Sequence, residues 1–363
     1  MKPPFQIMGT DHIRLIVGNA RQAAHYYQTV FGFEPLAYRG LETGDREKAA
    51  YVVQQNKIRF VLTSPYKANS GMNTHLMLHG DGVRDVAFWV TDAKAAWEYT
   101  TSRGAVSHFP PTTYEDENGS VTLASIHTYG DTLHTFVERN SYKGVFLPGF
   151  VPWERPLKTP SANLNFVDHF VGNQPEGDME KTAQWYEEVF NFHRFWSVDD
   201  KDVATDYTSL RSIVVANDNE RIKMPINRPA KGMRKSQIQE FVEYYTGPGV
   251  QHIAMDTSDI IESVSVLRNN GVEFLETPPT YYEMLPDRVG KIDEDISILS
   301  EYGILVDRDE HGYLLQIFTK PVQDRPTLFY EIIQRKGCSG FGKGNFKALF
   351  ESIEREQERR GNL

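Results

Sequence analysis

One cysteine, Cys338, stands among 363 residues, so no intrachain disulfide can form, as suits a reducing cytoplasm. In its glycine-rich setting Cys338 reads as a small residue in a turn and not as a reactive thiol. Long apolar runs are also missing. None approaches the roughly 20 residues of a membrane span, and the opening MKPPFQIMGTDHIRL has no continuous apolar segment of the secretory kind. Positive charge is in deficit, with 39 Lys and Arg against 49 Asp and Glu, for a formal charge of −10. With no basic stripe either, a nucleic-acid partner is not expected. What remains is 40% hydrophobic and 24% charged, a globular composition. The length exceeds what one ordinary core holds, so two domains are expected.

An internal echo supports that division. GTDHIRLIVGN, a strand signal, is followed by ARQAAHYYQTVFGF, a helical period ending at glycine. From Phe166 the order returns as FVDHFVGN and then MEKTAQWYEEVFNF. A second pair matches GVRDVAFWVTDAKAAWEYTTSRGA, from Gly82, with GVQHIAMDTSDIIESVSVLRNNGV, from Gly249. Each member reads as a strand, a Thr/Ser-Asp helix cap, a helix and a closing Gly. Two echoes in one order indicate a duplicated domain. Between the copies, Pro148, Pro152, Pro156 and Pro160 resist helix and central strand and predict an extended linker. The expected division is therefore 1–145, a linker at 146–162, and 163–363. Short β-rich runs separate the helices in each half, including DYTSLRSIVVAND and RIKMPIN. That order predicts α+β modules whose curved sheets each enclose a cavity.

Candidate chemistry concentrates in the second half. Glu331 lies in TLFYEIIQR among apolar neighbours, where a buried charge costs several kcal/mol unless a partner or metal compensates it. His169 and His252 each occupy a strand-like run. Two imidazoles and a carboxylate on a rigid scaffold form the facial triad that binds iron(II) and leaves positions open. The echo sets His12 against His169, Asp85 against His252, and the Thr135–Phe136 region against Glu331. The first half therefore reads as a copy without metal, with His12 an ordinary core histidine. Strand alternation puts Phe329 on the face of Glu331 and Gln316 on the face of Phe318. A buried Gln316 amide needs partners, and a ligand is one candidate. Gln251, next to His252, should point the other way and do no more than support. GNFKALFESIEREQERR places Phe346, Leu349, Phe350 and Ile353 on one helical face, with Asn345 as N-cap and a frayed tail after Arg355.

The segments VDHFVGNQP, PINRP, KSQIQEFVEYYTGPGVQHIA, LLQIFTKPVQDRPTLFYEIIQR and GFGKGNFKALFESIE resemble the 4-hydroxyphenylpyruvate dioxygenase family of the vicinal-oxygen-chelate superfamily. The resemblance implies two tandem βαβββ-repeat, half-open barrel domains and a C-terminal gating helix. It implies that His169, His252 and Glu331 hold Fe(II), and that Ser212, Asn227, Gln237 and Gln316 are neutral donors orienting the substrate. Phe318, Phe329, Phe341, Asn345 and Phe346 match pocket positions. The implied reaction consumes 4-hydroxyphenylpyruvate and O2 in tyrosine and phenylalanine catabolism. Oxidative decarboxylation, ring hydroxylation and side-chain migration then give homogentisate and CO2. The alternative is 4-hydroxymandelate synthase, which hydroxylates the benzylic carbon of the same substrate; Phe318 and Asn227 resemble the dioxygenase pattern instead. An extradiol ring-cleaving dioxygenase would share the triad but does not resemble the GFGKGNF helix. A non-catalytic binding protein would not need the triad. Exposed sheet edges in the first half lead to an expected homo-oligomer.

Overall fold

The computed structural model describes residues 2–154, 158–198, 209–230 and 235–362. Pro156, the start of DYTSLRSIVVAND and the Phe350 side chain lie outside what is described. The first half runs β1 (Ile7–Ile16), α1 (Ala20–Thr29), β2 (Glu34–Arg39), β3 (Lys48–Gln55), β4 (Ile58–Pro65) and α2 (Gly71–His79), then β5 (Gly82–Val90), α3 (Ala93–Thr101), β6 (Ser107–Asp116), β7 (Gly119–His127), β8 (Leu133–Glu138) and β9 (Val151–Pro152). The second runs β10 (Leu164–Asn173), α4 (Met179–Phe190), β11 (His193–Val198), β12 (Ser209–Ala216), β13 (Lys223–Ala230), α5 (Gln237–Tyr245), β14 (Gly249–Thr257) and α6 (Ile260–Asn269). It continues through the short helices α7 (Pro279–Glu283), α8 (Leu285–Val289) and α9 (Ile296–Tyr302) to β15 (Leu305–Arg308), β16 (Tyr313–Phe318), β17 (Phe329–Lys336) and α10 (Phe346–Arg360).

The duplication is visible in strand order. One sheet runs β6-β7-β8-β5-β1-β4-β3-β2-β9 and the other β11-β12-β13-β10-β14-β17-β16-β15. Reversing the first, and setting β9 aside, reproduces the second strand for strand. The senses match too: β1 and β4 are parallel, as are β10 and β13, while β1/β5 and β10/β14 are antiparallel. The expected helix caps are present. Asp92 accepts from Ala95 N at 2.8 Å and Asp259 from Glu262 N at 3.0 Å, each satisfying an N–H that the first helical turn leaves open.

The halves are not two beads on a linker. One hydrophobic cluster runs through both. At its centre Tyr330 of β17, fully buried, packs against Phe31 at 5.1 Å and Phe60 at 5.8 Å between ring centroids. Its hydroxyl lies 2.5 Å from that of Tyr27. The proline-rich stretch also differs from a plain linker, because Val151 and Pro152 pair with Tyr38 and Ala37 at the edge of the first sheet. A proline is tolerated there since an edge strand does not need every N–H.

The tail does not fray after Arg355. Helix α10 continues to Arg360 and ends at Gly361, whose φ of 69° closes it in the left-handed region. The buried Glu240 carboxylate anchors this end, accepting from Arg360 at 2.8 Å and Asn362 at 3.0 Å. Cys338 is buried, and burial with the neighbouring Asp309 pushes its thiol pKa up to about 12. It stays protonated and inert, as its turn position suggested. No helix among the described residues is long and apolar enough to cross a membrane.

Candidate metal centre

The second sheet brings three distant side chains together. β10 carries His169, β14 carries His252 and β17 carries Glu331, and these strands are neighbours. Pairing sets Val171 opposite His252 and Ala254 beside Glu331. All three side chains are buried, and their ligand atoms lie within 4.8 Å of one another. His169 Nε2 is 3.1 Å and His252 Nε2 3.5 Å from the same oxygen, Glu331 Oε2.

Hydrogen bonding on the far side of each ring determines what those atoms are. Asp168 Oδ1 lies 2.7 Å from His169 Nδ1, and a carboxylate can only accept, so Nδ1 donates to it and Nε2 is the atom turned toward Glu331. Gln251 Oε1 does the same for His252 Nδ1 at 3.1 Å. Two imidazole nitrogens and a carboxylate oxygen thus converge. A cation fits that donor set, and protein dipoles do not. The supporting layer continues outward: Arg335 grips Asp168 with two bonds of 2.8 Å, and Gln251 donates to Gln237 at 3.3 Å.

The local field follows from the same contacts. Burial alone would lift the Glu331 pKa, but His169 and His252 outweigh it and hold the carboxyl below its usual range. Burial would depress His169, yet Glu331 and Asp168 raise it. His252 has only Glu331 for such support, and burial lowers it.

Beside the triad lies a hollow bounded by Ser212, Asn227, Gln237, Phe318, Phe329, Phe341 and Phe346. Phe329 stacks on the His252 ring at 4.8 Å, and Phe341 meets His169 edge-on at 5.1 Å. Ser212 and Asn227 face each other across β12 and β13. Two expected wall residues are elsewhere. Gln316 is fully buried beneath the bend at Gly342, and both its amide atoms lack a hydrogen-bond partner. Asn345 starts α10 but does not cap it, since its Oδ1 instead accepts from Tyr281 at 2.7 Å and Arg288 at 3.1 Å.

Gln251 also departs from simple alternation. A register shift between Val171 and Gly172 makes it the extra residue of a β-bulge, so it and His252 both reach the hollow. Further wall residues carried a usable signal. Val171, Val214 and Pro225 each sit two positions from His169, Ser212 or Asn227, and Leu349 sits three beyond Phe346.

The first half retains the frame but not the His-His-Glu set at the equivalent positions. Asp11 holds His12 at 2.7 Å, Arg139 holds Asp11 at 2.6 Å, and Phe146 meets His12 edge-on at 5.3 Å. The strand registers put Asp85 where the other half has His252 and Thr135 where it has Glu331. Asp85 is satisfied internally, by Thr135 N at 3.0 Å and Thr135 Oγ1 at 2.5 Å, with the Arg14 guanidinium 3.9 Å away. Asp85→Asn is therefore expected to leave bound metal unchanged from the parent chain, as metal analysis after desalting would show. Loss of metal would put the centre in the wrong half.

Similarity to known proteins agrees with this arrangement. The profile described as Glyoxalase/Bleomycin resistance protein/Dioxygenase superfamily matches residues 9–124 and 167–317. A 4-hydroxyphenylpyruvate dioxygenase of Tetrahymena thermophila is 54% identical over 99% of this chain and 92% of its own length. The protein of that name from Danio rerio is 54% identical over 99% of this chain and 93% of its own. Among solved structures, a triple mutant of 4-hydroxymandelate synthase from Streptomyces coelicolor superposes with a TM-score of 0.87. It shares 31% identity and covers 97% of this chain and 99% of that one.

Proposed function

From this chain's membership of the glyoxalase/bleomycin resistance protein/dioxygenase superfamily, in the family named 4-hydroxyphenylpyruvate dioxygenase, we propose that it converts 4-hydroxyphenylpyruvate and O2 to homogentisate and CO2 with iron(II) held by His169, His252 and Glu331. The observation that carries the metal assignment is the convergence of two imidazole nitrogens on one buried carboxylate oxygen. When bound, iron(II) supplies a Lewis acid for an α-keto acid and a redox centre for oxygen.

The chain's own residues position and exclude. Phe329 and Phe346 flank the substrate ring and shed water, and offset aromatic contacts add about 0.5–1.5 kcal/mol each beyond burial. Ser212, Asn227 and Gln237 donate to the phenol and carboxylate without bringing charge into the hollow. Gln316, with both amide atoms unpartnered, keeps its hydrogen bonds for a substrate reached when the Gly342 bend shifts. Phe318 and Phe341 complete the wall. Asn345, tied to Tyr281 and Arg288, anchors the start of α10, which gates the hollow. A first half without an iron site, residues 1–145, then a linker and a catalytic half from residue 163 belong to the same reading. So do a cytoplasmic setting and pairing of copies along the exposed β6 edge.

Product analysis in air with iron(II) and 4-hydroxyphenylpyruvate tests the proposal. Homogentisate supports it, whereas hydroxymandelate would reassign the chain to the synthase reaction. Phe346→Ala is expected to loosen closure, so that more oxygen is consumed than homogentisate appears. Full coupling in that variant, read by an oxygen electrode beside product assay, would deny α10 its gating role.

A further inference from the structure

Far from the metal centre, α2 carries His75 and His79, one helical turn apart and both about 4% exposed. That spacing puts the rings on one helix face, with centroids 4.7 Å apart. Asp131, in the turn between β7 and β8, completes a cluster whose ligand atoms lie within 4.8 Å of one another.

Its hydrogen bonding is incomplete in a specific way. His79 Nδ1 donates to the main-chain carbonyl of Tyr245, which turns Nε2 toward the cluster. His79 Nε2 lies 2.9 Å from Asp131 Oδ2. Neither ring nitrogen of His75 has a partner. Burial, with His79 and Arg84, pushes the His75 pKa down to about 3. A buried polar atom without a partner is unfavourable. A cation bound by His75 removes that penalty.

We propose that His75, His79 and Asp131 form a second metal site, for a zinc-class divalent cation with water as the fourth ligand. Two imidazoles and one carboxylate favour zinc over magnesium or calcium, which prefer oxygen donors. The orienting layer is in place. The Tyr245 carbonyl fixes the His79 tautomer, and Arg84 Nη1 holds the other Asp131 oxygen at 3.3 Å. The Arg84 charge also opposes the cation, so this site binds more weakly than the triad.

The site's role is structural, because it lies where the halves meet. The His79 ring stacks on Tyr245 at 4.3 Å, Thr246 Oγ1 donates to Leu78 O at 2.8 Å, and Arg325 donates to the same carbonyl at 2.6 Å. Tyr245 ends α5, and Gln237 at the start of that helix lines the hollow. The cation would fasten one end of a helix whose other end touches substrate.

The test uses the full-length Glu331→Ala chain, which lacks the triad, titrated with cobalt(II) alone. One cobalt per chain with the strong visible bands of a four-coordinate ion is expected, and zinc should raise the melting temperature. Adding His75→Ala should weaken cobalt binding at least ~100-fold, beyond what loss of a merely orienting partner costs. Asp131→Asn, at a half-exposed position, keeps the side chain's shape and should weaken it at least ~10-fold. Absence of cobalt in Glu331→Ala, or binding unmoved by Asp131→Asn, would overturn the site.

Discussion

Glu331→Ala should strip the chain of iron and of turnover together. The substitution removes the carboxylate of the proposed ligand set and leaves two imidazoles to hold a doubly charged ion in a buried setting. Neither the oxygen ligand nor the charge compensation is replaced by anything nearby. The loss should exceed the ~10–100-fold that removal of an orienting partner costs. That smaller range is the expectation for Asp168→Asn, since Asp168 only fixes the His169 tautomer and is itself held by Arg335. Iron analysis after desalting, alongside oxygen uptake with 4-hydroxyphenylpyruvate, reads both effects. Iron retained at the parental level in Glu331→Ala would remove the metal assignment.

Tyr330→Ala should produce the largest stability loss, about 3–5 kcal/mol, the range for deleting a large buried aromatic ring. Tyr330 is fully buried at the junction of the halves, against Phe31 and Phe60 and bonded to Tyr27. Those rings belong to the first half, Tyr27 on α1, Phe31 just after it and Phe60 on β4. Tyr330→Phe keeps the ring and orphans only the Tyr27 hydroxyl, so about 1–3 kcal/mol is expected. Urea midpoints on metal-free protein isolate the packing effect from stabilisation by bound ion. An alanine variant within about 1 kcal/mol of the parent would mean that the halves fold without a shared core.

Much of this architecture is local in origin and so legible in the chain. The Asp-His echo and the paired Asp helix caps are short-range patterns, and they return as two sheets of matching strand order. Period-two alternation correctly grouped Phe329 with Glu331 on one face, because side-chain direction along a strand is a backbone property. The triad's residue types were legible too. A carboxylate inside an apolar strand demands compensation wherever the chain takes it.

The amino-acid order by itself determined the duplication, the caps and the two histidines and one glutamate that the second sheet gathers. Tertiary structure alone decided the rest. It bulged β14 at Gln251, turned Asn345 toward Tyr281 and Arg288, folded Gly342 over Gln316, and pinned the tail through Glu240. It also set Tyr330 between the halves and gathered His75, His79 and Asp131 into one cluster. Each of these depends on which distant group arrives as a partner, and a local repeat of two or 3.6 residues carries no information about that.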